Sequence, residues 1–323
     1  ALGIALHAPA LTFADLHLHS KYSRAVSPSM NPAGIAQGAR QKGLGIVATG
    51  DFTHPKYFAE LKTTLEQSDC AGLYKLKGAK AGDPLFILSC EVSTLLSLGP
   101  KGVKKVHHIV FFPDFETVSQ FSDRICKMGN LSADGRPMFG STSSAQMAEI
   151  VFETSKDAVL IPAHAWTPWF SALGSKGGYD SIDECYEDQA KKIFAIESGL
   201  SSDPAMNWRV SKLDRFAIVS NSDSHSPYPW RLGRECNAFS IPPKDLSYSS
   251  IFDAVKMKDP KRFAFTVEVD PNYGKYHFDG HRNCGVRLSP EESKKSNGIC
   301  PVCKQPLTIG VLTRVEELAD RPE

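Results

Sequence analysis

The sequence predicts an α/β fold in which parallel strands close into a barrel. Seven apolar, strand-like runs each end on a histidine or a carboxylate, and helix-like segments fill most of the intervals between them. The runs are LTFADLHLH, LGIVATGD, PLFILSCE, KVHH, AVLIPAH, KKIFAIE and FAIVSNSDSH. Near-continuous apolar runs indicate strands covered on both faces, and polar residues at a shared strand end favour closure into a barrel with its site at one mouth.

The segments between these runs carry helix signals. Asn31-Pro32 predicts the cap and first turn of a helix that runs to Gly43. Further helices are predicted over residues 57–67, 115–128 and 143–155. Strand and helix therefore alternate, which is typical of a parallel sheet.

Composition excludes several classes of protein. The 323 residues are 41% hydrophobic and 23% charged, as in ordinary globular proteins, with a net charge of +1. Any basic, nucleic-acid-binding surface must therefore be local. No apolar run reaches the roughly 18 residues of a membrane span. The N-terminal ALGIALHAPALTF is short and interrupted by His7 and Pro9, so we do not interpret it as a signal peptide.

The cysteine content bears on the cellular compartment. Eight cysteines would permit disulfides, but the size of the chain and the lack of an export signal favour reduced thiols. We expect a cytoplasmic protein, and a monomer is the favoured oligomeric state.

Polar side chains at the ends of the predicted strands indicate a metal site. His17 and His19 are two residues apart on a strand, so their side chains share one face and can hold one ion together. Asp223 and His225 repeat this spacing at another strand end. Other predicted strands end on Asp51, Glu91, His108 and His164. Imidazoles and carboxylates together suit zinc, manganese or iron, and several such ions would support phosphoester hydrolysis.

The character of the chain changes after Asp270-Pro271. Turn formers, aromatics and metal-binding residue types follow, and seven Lys and Arg stand against three Asp and Glu between Lys275 and Arg314. We therefore predict a domain boundary near residue 270, with a metal-dependent barrel over residues 1–270 and a small module over residues 271–323.

The C-terminal module contains two knuckles of metal-ligand spacing. His281 and Cys284 are separated by two residues, and so are Cys300 and Cys303, with fifteen residues between the knuckles. Two such knuckles bring four ligands into a tetrahedron, as structural zinc requires. His277 is the alternative to His281 as the fourth ligand.

The pieces DLHLHSKYS, ATGDFTH, SCEVS, HHIVFF, PAHAW and NSDSH resemble, in order and spacing, the polymerase and histidinol phosphatase (PHP) superfamily. The resemblance implies a distorted seven-stranded (β/α) barrel that binds two or three divalent ions (Zn²⁺, Mn²⁺ or Mg²⁺). It implies one ion held by His17, His19, Glu91 and Asp223, which would be the catalytic residues. It implies a second ion shared by Glu91 with His108 and His164, and a third held by Asp51 and His225.

The chain departs from the superfamily pattern at two positions. Asp51 stands where an imidazole is usual, and Ala25 stands where a further histidine often follows the first motif. The third ion would then have few nitrogen ligands, unless His54 substitutes rather than capping the next helix. His107 is expected to point away from His108 on a strand, and Glu197 is expected to support a ligand rather than to bind an ion.

A narrower resemblance covers essentially the whole chain. DFTHPKYFAEL, PAHAWTPWFSALGS, IESGLSSDPAMNW, KYHFDGHRNCGV and ICPVCKQPLTIGVLTRVEELADRP are similar to the endonuclease Q family. This resemblance implies a metal-dependent endonuclease of DNA repair that cuts 5′ to deaminated bases (uracil, hypoxanthine, xanthine) and abasic sites. The family usually continues past ELADRP, so the resemblance implies a truncated form.

An enzyme that inspects one base of a duplex usually extrudes it into a pocket and stacks it. The residues that we expect to contact DNA lie in a cleft between barrel and module: Trp166, Trp169, Phe170, Ser171, Lys275 and Arg282. Two other hypotheses remain open. A small-molecule phosphatase of the histidinol-phosphate kind would use the same metals, and a non-enzymatic DNA-binding or scaffold protein would carry a relict site.

Overall fold

The structure is a computed structural model that describes residues 11–322, so the start of the N-terminal segment discussed above lies outside the described residues. The strands are β1 (Thr12–Asp15), β2 (Ile46–Ala48), β3 (Leu65–Gln67), β4 (Tyr74–Leu76), β5 (Leu85–Ile87), β6 (Ser89–Ser97), β7 (Val103–Phe111), β8 (Met138–Gly140), β9 (Val159–Pro162), β10 (Ala195–Glu197), β11 (Ala217–Val219), β12 (Cys236–Phe239), β13 (Phe263–Val267), β14 (Asp279–His281) and β15 (Val286–Leu288).

The α-helices surround and connect these strands. They are α1 (Pro32–Lys42), α2 (Pro55–Thr64), α3 (Phe115–Ile125), α4 (Ser144–Thr154), α5 (Ile182–Tyr186), α6 (Pro204–Trp208), α7 (Tyr248–Lys256), α8 (Pro290–Lys295) and α9 (Val311–Leu318). No helix within residues 11–322 has the length and apolar character needed to span a membrane.

The strands of the described chain belong to four sheets. The largest has the order β13-β12-β1-β2-β5-β4-β3, and a second has the order β8-β6-β7-β9. β10 pairs with β11, and β14 pairs with β15. Apolar side chains from the strands and from α1, α3 and α4 merge into one continuous core. The α/β class predicted from the sequence is therefore confirmed.

The expectation of an all-parallel sheet is wrong. β1, β2 and β5 are parallel, and so are β10 and β11. However, β6 and β7 run antiparallel, as do β7 and β9, and β1 and β12. The link between β6 and β7 explains the first case. It is a tight turn closed by the Leu98 amide on the Gly102 carbonyl, and such a link is far too short for a parallel crossover.

The predicted helices form, with shifts at their ends. Asn31 caps α1 by accepting a hydrogen bond from the Gly34 amide, and Gly43 ends it at φ 85°. A left-handed residue at this position is what glycine permits without strain. α2 ends at Thr64, because Leu65–Gln67 leaves the helix to pair with β4. The other two helices are capped by Asp114 and Ser143.

Candidate metal centre

A backbone pairing just beyond the end of β1 brings together the HxH and DxH parts of the predicted metal site. Leu18 forms an isolated parallel bridge with Ser224, and the His19 amide donates to the Ser224 carbonyl at 3.1 Å. This contact between two segments far apart in the chain places His17 and His19 beside Asp223.

His17, His19 and Asp223 form a first group of potential ligands. Their ligand atoms lie within 4.8 Å of one another. His19 Nε2 lies 3.1 Å from Asp223 Oδ1, and His17 Nε2 lies 3.9 Å from it. These three atoms are buried and make no hydrogen bond to any described group outside the trio. Because buried polar atoms are normally paired, the arrangement fits a cation.

Glu91, His107 and His164 form a second group. Glu91 Oε1 lies 2.8 Å from His107 Nδ1 and 3.2 Å from His164 Nε2. The same carboxylate reaches the first group, since its oxygens lie 3.6 Å from Nε2 of His17 and 3.6 Å from Nε2 of His19. Glu91 therefore lies between the two groups. We call these six residues the mouth group.

Neighbouring side chains hold the imidazoles through their second nitrogen. Glu197 lies 3.0 Å from His17 Nδ1, and its other oxygen accepts the His164 amide. Asp51 Oδ1 lies 3.1 Å from His19 Nδ1. Such outer contacts fix the ring and leave Nε2 free for an ion. Glu197 is thus placed as a supporting residue, as the sequence led us to expect.

The mouth group contains His107, whereas the sequence analysis expected His108 at this place. In the β6–β7 register His107 pairs with Ser93, and Ile109 pairs with Glu91. Paired residues point to the same face of a sheet, so His107 shares the face of Glu91 and His108 takes the opposite one. His108 is buried there between the Thr94 hydroxyl at 2.9 Å and the Tyr186 hydroxyl at 2.6 Å.

The expected third pair of ligands is not assembled. Asp51 already accepts from the Ser20 amide and from the hydroxyls of Ser20 and Ser23. Neither Asp51 nor His225 joins a group of three potential ligands within residues 11–322. His225 instead packs its ring against His19, with centroids 4.8 Å apart, and His54 stacks on Tyr22. Asp51 therefore lies where it supports His19 by a hydrogen bond.

In the mouth group, the carboxylates raise the pKa values of the histidines, and the histidines lower the pKa of Asp223. Burial disfavours the charged imidazole of His17, but Glu197 and the other carboxylates outweigh burial and raise its pKa to about 9. The pKa of His19 rises to about 10 in the same way, through Asp223 and Asp51. Burial opposes ionisation of Asp223, yet the two histidines hold its pKa well below the ordinary value. A cation would replace these protons.

Backbone strain coincides with the site. Asp51, His164 and Asp223 have φ values of 46°, 29° and 46°. A non-glycine residue rarely adopts positive φ, and such residues cluster where the fold must aim a side chain. The three residues lie two to four positions beyond the ends of β2, β9 and β11.

The C-terminal knuckles meet as predicted. His281, Cys284, Cys300 and Cys303 offer ligand atoms within 4.8 Å of one another, and Cys303 Sγ lies 3.3 Å from His281 Nδ1. We call these residues the cysteine cluster. The alternative ligand, His277, is buried elsewhere, with Nδ1 2.9 Å from the Ser201 carbonyl. Burial disfavours the Cys300 thiolate, but the amides of Cys303 and Val302 outweigh this and lower the pKa to about 7.

A cavity of about 360 Å³ connects the mouth group to the C-terminal segment. Its lining includes His107, His164 and Asp223 of the mouth group together with Trp169, Phe170, Lys275 and Tyr276. Lys275 and Arg282 also line an adjoining cavity. Two further residues that we expected to contact DNA are buried in this structure. Trp166 is buried with its indole N–H on Asn207, and the buried Ser171 hydroxyl donates to the Thr167 carbonyl.

The sequence did not point to Arg136. Its guanidinium lies 3.2 Å from Glu91 Oε2 and lines the same cavity. An isolated arginine between Gly135 and Pro137 carries no motif, so only the fold reveals its position.

Comparison with known proteins identifies relatives of this chain. No protein-family model matches the chain. An uncharacterised protein of Methanocaldococcus jannaschii is 37% identical over 160 residues, which cover 49% of this chain and 19% of that protein. The match thus spans about a fifth of that relative's length. An uncharacterised protein of Bacillus subtilis is 26% identical over 96% of this chain and 78% of its own length.

Two solved structures superpose on almost the whole chain. The lesion-specific endonuclease EndoQ of Pyrococcus furiosus has a TM-score of 0.81 and 34% identity, covering 97% of this chain and 73% of that one. A complex of endonuclease Q with a 27-mer duplex that has an abasic lesion at the active site gives a TM-score of 0.84 and 34% identity, covering 97% and 74%. At this identity and coverage, the chain belongs to the endonuclease Q family.

Proposed function

We propose that this chain is a metal-dependent DNA repair endonuclease. It hydrolyses the phosphodiester bond on the 5′ side of deaminated bases (uracil, hypoxanthine, xanthine) and of abasic sites. The observation that carries this proposal is the buried mouth group, in a chain that belongs to the endonuclease Q family. The related enzyme complex, with an abasic lesion at its active site, supports the choice of substrate.

The mouth group would hold two divalent ions. His17, His19 and Asp223 would hold the first, His107 and His164 the second, with Glu91 between them. The chemistry that divalent ions supply in such a site is activation of water and neutralisation of charge on phosphoryl oxygens. Zn²⁺, Mn²⁺ and Mg²⁺ all accept parts of this donor set, and its imidazoles favour Zn²⁺ or Mn²⁺.

Arg136 is suited to position the scissile phosphate. Its guanidinium faces the mouth from the cavity wall and carries a positive charge that Glu91 only partly satisfies at 3.2 Å. A guanidinium can hold two phosphate oxygens through parallel hydrogen bonds, which fixes the orientation of the ester. Arg136 would therefore orient the substrate while Glu197 and Asp51 keep the imidazoles in register.

The cavity beside the mouth would receive the extruded base. Trp169 and Tyr276 form an edge-to-face pair with ring centroids 5.7 Å apart, and Phe170 packs on His107 at 4.7 Å. A flipped base is read by stacking and by hydrogen bonds to its edge, and this wall offers both aromatic faces and polar groups. Lys275 and Arg282 would contact phosphates near the opening.

The cysteine cluster would hold a structural zinc ion. Its four ligands are sulfur and nitrogen, the donor set of closed tetrahedral zinc sites. The cluster shares a segment with Lys275 and Arg282, so an ion there would stabilise the wall of the base cavity.

The decisive experiment maps the cut. The protein is incubated with a labelled duplex that carries a single deoxyuridine, in Mn²⁺ or Mg²⁺, and the product ends are sized against a ladder. We expect one nick, immediately 5′ to the deoxyuridine, and none in the matched thymidine duplex. A 3′ cut, or equal cutting of both duplexes, would contradict the proposal. Release of phosphate from small monoesters without nicking would select the phosphatase hypothesis instead.

A further inference from the structure

Two exposed aromatic rings stack on each other on the loop that follows Asp223 and His225. Tyr228 and Trp230 have ring centroids 4.6 Å apart and planes inclined by 5°. Their side chains are 52% and 67% exposed, respectively. Single exposed aromatic residues are common on protein surfaces, but two parallel rings present one broad apolar face to water. We call this pair the aromatic step.

The loop that carries the aromatic step is anchored at both ends. On its N-terminal side, the His225 carbonyl accepts the Ser27 amide at 2.9 Å. On its C-terminal side, Leu232 is fully buried and the Gly233 amide donates to Asp15. The step is thus tied directly to the loop of Asp223, a member of the mouth group.

A tight turn sets the position of the rings. The Tyr228 carbonyl accepts the amides of Arg231 at 2.8 Å and Leu232 at 3.0 Å. Pro229 is the second residue of this turn, where its fixed φ is favoured. Below the turn, helix α1 has Gly38, where a Cβ would lie 1.9 Å from the Pro227 carbonyl oxygen. The rings are therefore held out by a rigid base rather than by a free loop.

Three exposed basic residues lie on the turn of the step or on segments that contact its loop. Arg231 lies within the turn, Arg24 lies on the loop that bonds to His225, and Lys42 packs its stem near Gly233. Each side chain is exposed, and none of the three forms an ion pair or a side-chain hydrogen bond within residues 11–322. Cations around an aromatic face are typical of surfaces that bind the backbone and bases of nucleic acid.

We propose that the aromatic step is a second DNA-binding site, which stacks a nucleobase left exposed when the lesion nucleotide is extruded. This inference rests on the proposed nuclease function and adds to it. The base cavity takes the lesion, while the step, on the loop that follows Asp223 and His225, takes a base that extrusion leaves unpaired or unstacked. Stacking needs only a π face, so the site accepts any of the four bases.

The test uses duplexes with one abasic site and 2-aminopurine placed either opposite it or at an adjacent position. Binding is measured by anisotropy without divalent ions, and stacking by quenching of 2-aminopurine fluorescence. The variants are Trp230→Ala, Trp230→Leu and Tyr228→Ala. Trp208→Ala is the matched control, because Trp208 is 60% exposed but lines a different cavity with Phe216 and Phe265.

We expect quenching at one of these positions by the wild-type protein and by Trp208→Ala. Trp230→Ala and Trp230→Leu should lose that quenching and bind the lesion duplex about fivefold or more weakly. Tyr228→Ala should have a smaller effect of the same sign. Circular dichroism and melting curves that match the wild type would show that the variants are folded.

Two results would overturn the inference. One is wild-type quenching and affinity in Trp230→Ala, while the wild type nicks a deoxyuridine duplex. The other is a change confined to self-association in size-exclusion chromatography, which would make the step a contact between copies of the chain. If the wild-type protein neither binds nor nicks any lesion duplex, the nuclease proposal itself fails, and the two failures are thereby distinguished.

Discussion

The mouth group and the cysteine cluster both gather cation ligands, but they do so with different parts of the chain. The six residues of the mouth group are spread from residue 17 to residue 223, and four of them are buried. They meet because Leu18 pairs with Ser224 and because β6 and β7 keep one register. The cysteine cluster lies entirely between residues 281 and 303, and only Cys300 is buried.

The difference teaches how each site depends on its ion. The mouth group rests on the core, and Glu197, Asp51 and Thr167 hold its imidazoles by hydrogen bonds. Removal of an ion from the mouth group should leave the fold intact. The cysteine cluster sits on a two-stranded hairpin and short turns with little core beneath them. Removal of its ion should loosen the segment, because a small metal module folds largely through metal binding.

The largest expected effect is on activity, from Asp223→Asn. The substitution removes the negative charge beside His17 and His19, so cleavage should fall by at least about 100-fold, given that even outer-shell changes cost 10–100-fold. Affinity for lesion duplex should stay nearly unchanged, because phosphate contacts are retained. Single-turnover nicking and anisotropy measure the two quantities. Activity within tenfold of the wild type would refute this role.

Cys300→Ser should have the opposite pattern to Asp223→Asn: it should disturb the cysteine cluster and leave the mouth group intact. We expect loss of about one equivalent of zinc and a broadened or lowered first melting transition, while the mouth keeps its ions. Elemental analysis and calorimetry provide the readout. Cys126→Ser is a suitable control, since that exposed thiol lies outside the cluster. Unchanged zinc content and melting behaviour would count against a structural site.

A paired substitution of adjacent histidines tests the strand register. His107→Ala should reduce metal binding in the mouth and activity with little loss of stability. His108→Ala should keep the metal but cost about 2 kcal/mol of unfolding free energy, because it leaves the hydroxyls of Thr94 and Tyr186 unpaired in the core. Metal titration and urea unfolding distinguish them. The reverse pattern would show that His108 is the ligand after all.

The smallest expected effect concerns two acidic residues outside the mouth group, Glu235 and Glu268. Burial and mutual repulsion raise the pKa of Glu235 to about 8, and burial raises that of Glu268 to about 7. The folded state therefore binds more protons than the unfolded state, and this contribution to stability, full below pH 4.5, is lost as pH rises through 7 to 8.

Glu268→Gln should remove the share of this loss that Glu268 contributes. At pH 8 the variant should be more stable than the wild type by on the order of 1 kcal/mol, and at pH 4.5 the two should be alike. Urea unfolding at the two pH values measures the difference. An equal shift at both values would mean that the effect is one of packing rather than of ionisation.

Much of both sites could be predicted from residue patterns, where the geometry is local. The HxH and DxH pairs flank the bridge residues Leu18 and Ser224, just beyond the ends of β1 and β11, and the HxxC and CxxC knuckles lie at short turns. Their ligand spacing follows from chain geometry alone, so the placement of His17, His19, Asp223 and the cysteine cluster agrees with expectation. The same holds for helix α1, whose cap and stop signals are Asn31 and Gly43.

Tertiary structure alone decided which neighbour of each local pair faces the site. The choice of His107 over His108 depends on antiparallel pairing with β6, and a one-residue change of register would reverse it. Asp51 became a support because Ser20 and Ser23 satisfy its oxygens, and Trp166 became core because Asn207 satisfies its indole. Residue type determined the chemistry available to this protein, whereas long-range packing and hydrogen bonding determined which groups remain free to perform it.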